Sequence, residues 1–132
     1  MEIVHGRGYV YAIEYHIVWC VKYRRKVIDE RVEKRLKVIL DHYAYENGFS
    51  IEEYNTDEDH VHLLVSVSPQ HYIPDMLKGM KGVSARELFK SFPRLKNKLY
   101  GGHMWNPSYF VATASNHTEE DIRKYIQSQK EK

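Results

Sequence analysis

The segment 57–68, DEDHVHLLVSVS, places two histidines one residue apart at the start of an apolar run. Side chains alternate along a strand, so His60 and His62 are expected on one face. The apolar alternate positions are then expected to face the core: Val61, Leu63, Val65 and Val67. Two imidazoles about 7 Å apart along a strand can converge on one metal ion. The alternative interpretation is two surface histidines on a half-exposed face.

A metal site needs more than two protein ligands, and the sequence limits the candidates for the others. Asp57 and Asp59 lie just before the pair and are candidate hydrogen-bond acceptors for the outer ring nitrogens. Among the other histidines, His16 is the best candidate, because it is predicted to lie on a neighbouring strand. The single cysteine, Cys20, excludes a thiolate zinc cage and an internal disulfide, and is typical of a reducing compartment.

The last helical segment, EEDIRKYIQSQ (119–129), carries a second pair of polar side chains. Tyr125 and Gln129 are four residues apart and are predicted to share one helical face. Ile122 and Ile126 supply apolar contacts for docking the helix. Taken alone, a tyrosine on a docked helix is more typical of amphipathic packing than of catalysis.

Four strands and three helices are predicted to position these side chains. The strands are 9–23, 49–55, 60–68 and 108–114, with a turn at 56–59, and the helices are 29–48, 74–92 and 119–129. Asp29 is predicted to cap the first helix, and Gly48 to follow its end. The spacing in SARE (84–87) predicts that a new helix begins at Ser84. Segment 93–107 is predicted to be a loop.

The order of elements predicts an α+β fold. It is the βαββαβ arrangement of ferredoxin-like and RRM-like proteins, with one antiparallel sheet and helices on one face. A C-terminal helix carrying Tyr125 follows. In this topology the first and third strands are neighbours at the centre of the sheet, and the apolar residues on both faces of 9–23 favour a central strand. Residues 1–132 are predicted to form a single domain. Since this fold serves many functions, the site must decide among them.

The charges are segregated along the chain, although the net charge is only +2. Segment 22–26 holds four basic residues and no acid, and segment 78–98 holds seven basic residues against one acid. Segment 46–59 holds six acids and no base. Such segregation favours a polyanionic partner, although solvated helix faces are an equally good interpretation. With no apolar run of about 20 residues and no signal segment, the sequence predicts a cytoplasmic protein without a membrane partner.

The histidine pair followed by Tyr-x-x-x-Gln resembles the HUH-type single-tyrosine transposases. These are the TnpA-type enzymes of small insertion sequences that move as single-stranded DNA. Four further stretches resemble that family in the same order, so that the resemblance covers nearly the whole chain. They are YHIVWCVKYRRKV (15–27), TDEDHVHLLV (56–65), KGVSAREL (81–88) and WNPSYFVAT (105–113).

The resemblance implies a role for each residue of the motif. His60, His62 and Gln129 would bind Mg²⁺ or Mn²⁺, and Tyr125 would be the nucleophile that forms a 5′-phosphotyrosine link. The family acts as a homodimer on DNA hairpins at the element ends, and the histidines of one chain can share a site with the tyrosine of the other. Basic residues predicted to contact the DNA backbone are Lys22, Arg24, Arg25, Lys26, Lys78, Lys81 and Arg86.

Two other functions remain open from the sequence. A replication initiator or relaxase would use the same histidine pair and tyrosine to nick DNA, although such proteins are usually larger and multi-domain. An RRM-like RNA-binding module would need no chemistry at all. It would require exposed aromatic residues on the central strands, where this chain has His60 and His62.

Overall fold

A computed structural model describes residues 4–6, 9–11, 13–114 and 119–129. The strands are β1 (Val4–Gly6), β2 (Tyr9–Tyr11), β3 (Ile13–Cys20), β4 (Ser50–Asp57), β5 (His60–Val67) and β6 (Phe110–Thr113). The α-helices are α1 (Glu30–Glu46), α2 (Ile73–Ser91) and α3 (Glu119–Ser128). Short 3-10 helices cover Lys22–Arg24, Pro93–Lys98 and Tyr100–Gly102.

Four of these strands form one antiparallel sheet in the order β4-β5-β3-β6. The strands β3 and β5 are therefore central neighbours, as the ferredoxin-like topology requires, and the predicted α+β fold is confirmed. In their register Cys20 lies opposite His60, and Val18 lies opposite His62. This pairing places both histidines in the middle of the sheet. The strands β1 and β2 form a separate antiparallel pair.

Both faces of the central strands carry buried apolar residues. On β5 the predicted core residues Val61, Leu63 and Val65 have no exposed surface, and Val67 is 2% exposed. They belong to the main core together with apolar residues of α1 and α2, including Leu36, Leu40, Leu77 and Leu88. On the opposite face of β3, Val18 and Cys20 are also fully buried. The prediction that this strand has two apolar faces is confirmed.

The ends of α1 follow local chemistry. The Asp29 carboxylate accepts a hydrogen bond from the backbone N–H of Val32 at 2.9 Å, which satisfies one of the free donors of the first turn. Gly48 follows the helix with φ of +75°, a conformation that glycine adopts without strain. Both predicted boundary residues are confirmed.

The prediction of a new helix at Ser84 is wrong, because α2 is continuous from Ile73 to Ser91. Ser84 is fully buried in its interior. The hydroxyl donates to the carbonyl oxygen of Lys81 at 3.2 Å and accepts from Nε1 of Trp105 at 3.0 Å. A serine that satisfies the indole N–H of another segment is stable within a helix, so the capping-box spacing is coincidental here.

Several strand boundaries also differ from the prediction. The predicted strand 9–23 is divided between β2 and β3 and ends at Cys20, because a 3-10 turn with Tyr23 at φ of 57° follows. Strand β4 continues to Asp57, which leaves only residues 58–59 for the predicted turn. Strand β6 begins at Phe110 rather than at 108. The last predicted helix, 119–129, is found as α3, which ends at Ser128.

None of the helices within the described parts of the chain is long and apolar enough to cross a membrane.

Candidate active site

His60 is held by a chain of polar contacts that begins at Arg24. Arg24 donates from Nε to Oδ2 of Asp59 at 3.0 Å, and its Nη2 lies 3.0 Å from the same oxygen. The other carboxylate oxygen, Oδ1, lies 2.8 Å from Nδ1 of His60. Burial alone would raise the pKa of Asp59, but hydrogen bonds and charges from His60 and Arg24 hold it below its ordinary value. The ionised carboxylate therefore favours the His60 tautomer with its proton on Nδ1, which directs the lone pair of Nε2 to a ligand.

His62 contacts the histidine that the sequence singled out on the neighbouring strand. Nε2 of His62 lies 2.9 Å from Nδ1 of His16, and the two rings are tilted by 48° with centroids 5.1 Å apart. His16 lies two residues along β3 from Val18, the residue opposite His62, and is therefore on the same face of the sheet, so the pairing of β3 with β5 creates this contact. The expected proximity of His16 to the pair is confirmed. His16 is therefore part of the immediate surroundings of any ligand held by His62.

The side chains next to His60 form a group that could hold a cation. Within the described residues, one group of three His, Cys, Asp or Glu side chains has its ligand atoms within 4.8 Å of one another. It consists of Asp57, Asp59 and His60, and His62 is outside it. Carboxylate oxygens with imidazole fit Mg²⁺ or Mn²⁺. Because Asp59 already binds Arg24 and orients His60, Asp57 is the more available of the two carboxylates.

Helix α3 covers the histidine face of the sheet. A cavity of about 420 Å³ lies between them, with Arg24, His60 and His62 on one side and Ile122 and Ile126 on the other. Ile122 is 7% exposed, which confirms its predicted docking role. The nucleophile candidate is thus carried by a helix that lines the same cavity as the histidine pair.

Tyr125 and Gln129 lie on the same face of α3, as predicted, and meet at one serine. The hydroxyl oxygens of Tyr125 and Ser108 are 2.7 Å apart. The Ser108 hydroxyl donates to Oε1 of Gln129 at 2.9 Å. Gln129 is 4% exposed, and the ring of Phe110 lies 5.8 Å from that of Tyr125. Burial raises the pKa of Tyr125 above its ordinary value.

Neither Tyr125 nor Gln129 is among the residues that line the cavity beside His60 and His62. The structure thus places the predicted residues on one face of the sheet in two separate pairs. One pair is the histidines on β5, and the other is the tyrosine and glutamine at Ser108. Sequence analysis did not single out Ser108, although the stretch 105–113 that contains it was part of the resemblance.

Lys81 has a contact that its sequence position did not indicate. Its ammonium nitrogen lies 2.6 Å from the carbonyl oxygen of Asn106 and 3.1 Å from that of Ser108. Burial lowers the pKa of Lys81 to about 8. These contacts tie the segment before β6 to α2, which is a different use of the charge from the predicted DNA contact.

The remaining basic residues predicted to contact DNA differ in exposure. Arg25, Lys26, Lys78 and Arg86 are exposed, whereas Lys22 and Arg24 are partly buried. The ammonium of Lys22 lies 5.0 Å from the ring centre of Tyr23, and Arg24 is paired with Asp59. The four exposed residues are therefore the better candidates for contacts with DNA phosphates.

Known proteins share both the sequence and the fold of this chain. A family model described as "Transposase IS200 like" matches residues 9–129. The ISDra2 transposase TnpA of Deinococcus radiodurans is 50% identical over 132 residues, which is 100% of this chain and 94% of the relative. The transposase for insertion sequence element IS200 of Salmonella typhimurium is 30% identical over 118 residues, covering 89% of this chain and 77% of the relative.

Two solved structures are similar in fold. A crystal structure of a protein from Deinococcus radiodurans R1 superimposes with a TM-score of 0.90 at 48% identity, covering 96% of this chain and 97% of the other. A REP-associated tyrosine transposase bound to a REP hairpin superimposes with a TM-score of 0.58 at 12% identity, covering 93% of this chain and 67% of the other. At that identity the second likeness concerns the fold alone.

Proposed function

This chain belongs to the IS200-like transposase family, and we propose that it cleaves and rejoins single-stranded DNA at insertion-sequence ends through a phosphotyrosine link to Tyr125. The observation that carries this proposal is the docking of α3 over the histidine face, which places the Tyr125 helix beside His60 and His62. The 5′-phosphate polarity of the link rests on the resemblance alone.

The proposed nucleophile is the phenol oxygen of Tyr125. In-line attack on a phosphodiester places negative charge on the non-bridging oxygens and expels the 3′-oxygen of the neighbouring nucleotide. The new bond joins the phenol oxygen to the 5′-phosphate as the bond from phosphorus to the 3′-oxygen breaks. The phenol gives up its proton and the departing 3′-oxygen takes one up as a 3′-hydroxyl, so that the step balances. Because the link keeps the energy of a phosphoester, a later attack by a 3′-hydroxyl can rejoin DNA without ATP. That property fits strand transfer better than hydrolysis.

His60, His62 and Gln129 are the proposed metal ligands, with Asp57 as a further oxygen donor from the group beside His60. A bound Mg²⁺ or Mn²⁺ would supply positive charge that stabilises the phosphate oxygens during attack. Asp59 would hold the His60 ring in the required tautomer through the contact at 2.8 Å. Imidazole ligands give Mn²⁺ the higher affinity of the two ions, whereas the concentrations of the two ions in the cell decide which one is bound.

The proposed substrate is single-stranded DNA that folds into hairpins near the element ends. The hairpin partner is proposed from the family resemblance, and the exposed basic residues supply charges for phosphates. These are Arg25, Lys26, Lys78 and Arg86.

The direct test uses DNA from the locus that encodes the protein. We expect purified protein to form a covalent adduct, stable in denaturant, with single-stranded oligonucleotides from the flanking sequence when Mg²⁺ or Mn²⁺ is present. The complementary strand and a scrambled sequence of equal composition are the controls. Binding without an adduct would contradict the proposal and favour an RRM-like binding module. Nicking without rejoining to a second oligonucleotide would favour the replication initiator or relaxase function.

A homodimer with shared sites is the final part of the proposal, and it rests on the resemblance. In the described chain α3 lies against its own Ser108 and its own histidine face. Exchange of α3 between two chains would form the same contacts across the dimer, so that the chemistry of each site is unchanged.

Mixing two inactive variants tests this sharing. We expect His62→Ala and Tyr125→Phe chains, each inactive alone, to regain cleavage when mixed, because a mixed dimer pairs intact histidines with an intact tyrosine. After random exchange about half of the dimers are mixed, and each has one wild-type site. Mixing His60→Ala with His62→Ala is the control and should restore nothing. Continued inactivity, with exchange verified by tagged chains, would establish that each site is built within one chain.

A further inference from the structure

We propose that Ser108 is a positioning residue that sets the hydroxyl of Tyr125 and the carbonyl oxygen of Gln129 relative to the histidine strand. This inference rests on the proposed function of Tyr125 and Gln129. The observation behind it is that one hydroxyl oxygen lies 2.7 Å from the Tyr125 hydroxyl and donates to Oε1 of Gln129 at 2.9 Å.

The number of protons on Ser108 determines the direction of these bonds. A serine hydroxyl has one proton and two lone pairs, and Oε1 of an amide can only accept. The Ser108 proton is therefore directed to Oε1 of Gln129. The Ser108 oxygen must then accept the hydrogen bond that the Tyr125 hydroxyl donates. In this state the phenol proton is directed to Ser108. The Ser108 hydroxyl contacts both functional groups of α3 at once, while the Ser128 hydroxyl accepts from Nε2 of Gln129 at 3.0 Å and holds the other end of that amide.

Ser108 lies in the segment before β6, and hydrogen bonds to its backbone hold it in place. Its backbone N–H donates to Oδ1 of Asn106 at 3.1 Å, and its carbonyl oxygen accepts from the Lys81 ammonium at 3.1 Å. Asn106 is 3% exposed, and Lys81 contacts its carbonyl oxygen as well. Bonds on both sides of Ser108 restrict the backbone on which its hydroxyl is mounted.

The same segment is bonded to the strand that pairs with the histidines. The backbone N–H of Asn106 donates to the carbonyl oxygen of Cys20 at 2.9 Å. In the sheet, Cys20 lies opposite His60. Ser108 is thus connected to the histidine strand through two residues, and its hydroxyl carries that connection on to Tyr125 and Gln129 of α3. Together with the burial of Ile122 and the contact of the Tyr125 ring with Phe110, this connection fixes Tyr125 relative to His60.

This role is tested with two substitutions of Ser108, to alanine and to threonine, and with one substitution at a control serine. With Ser108→Ala we expect kcat for cleavage to fall about 10- to 100-fold, the range typical of losing a residue that orients catalytic groups. KM for DNA should be nearly unchanged, because no proposed phosphate contact is lost. Ser108→Thr keeps the hydroxyl and should restore most of kcat. Ser91→Ala is the matched control, since the Ser91 hydroxyl also accepts a hydrogen bond from another helix but lies outside the site.

A spectroscopic measurement without metal or DNA tests the contact itself. In protein labelled with ¹³C at Cζ of tyrosine, the Tyr125 resonance is identified by its loss in Tyr125→Phe. We expect this resonance to shift in Ser108→Ala and to stay near its wild-type position in Ser108→Thr and Ser91→Ala. An unmoved resonance in folded Ser108→Ala would overturn the contact.

The outcomes separate this inference from the proposed function. An adduct that persists in Tyr125→Phe would reject Tyr125 as the nucleophile, whatever Ser108 does. If Tyr125→Phe is inactive but Ser108→Ala cleaves at the wild-type rate, only the positioning role of Ser108 is rejected. A fall in kcat that Ser108→Thr does not restore, despite a wild-type resonance, would also reject it.

Discussion

Tyr125→Phe is expected to abolish DNA cleavage and the covalent adduct, with a loss of more than about a thousandfold in rate. The substitution removes only the hydroxyl oxygen that is proposed to attack phosphorus. The ring and its packing against Phe110 are kept. Ser108 keeps its hydrogen bond to Gln129, so that no polar group is left without a partner by this change. The loss of one hydrogen bond should lower the free energy of unfolding by only about 1 kcal/mol.

The measurement is the amount of adduct on a denaturing gel, with hairpin affinity and thermal unfolding followed in parallel. Tyr45→Phe is the control, because Tyr45 is 84% exposed on α1 and should leave all three quantities unchanged. Tyr109→Phe is a second comparison, since Tyr109 is 40% exposed next to Ser108. Loss of the adduct in Tyr109→Phe but not in Tyr125→Phe would identify Tyr109 as the nucleophile.

His60→Ala and His62→Ala are expected to lower cleavage by on the order of 100-fold or more, because each removes a proposed metal ligand. The affinity for hairpin DNA should change much less, since it depends mainly on phosphate contacts that are sensitive to salt. Both variants should remain folded. In His60→Ala the Asp59 carboxylate keeps its bond to Arg24, and in both variants the core face of β5 is untouched.

Metal binding is measured directly by titration of Mn²⁺ into the free protein, and cleavage is measured with and without EDTA. His42→Ala is the control, because the His42 side chain is 71% exposed and lies on α1. Equal Mn²⁺ affinity in His60→Ala, His62→Ala and the wild type would remove both histidines from the metal site. Full cleavage in EDTA would remove the metal from the reaction.

The sequence by itself determined the features that depend on local geometry. Alternation along β5 placed His60 and His62 opposite the buried Val61 and Leu63, because successive strand residues point to opposite faces. The cap at Asp29 and the turn at Gly48 followed from the free backbone groups at helix ends. The order of these elements predicted the sheet topology, and the family was indicated by the resemblance of the motif and of four further stretches.

The tertiary structure alone decided which distant side chains meet. Ser84 carries a helix-start signal, yet the indole of Trp105 gives its hydroxyl a partner in the middle of α2. Lys81 belongs to a basic stretch that suggested a DNA contact, yet its ammonium lies among the carbonyl oxygens before β6. Ser108 meets Tyr125 only because α3 folds back over the sheet. In each of these pairs the two residues are about twenty positions apart in the sequence. Apolar packing elsewhere in the fold brings them together, so the sequence around the polar residues carries no pattern that predicts the contact.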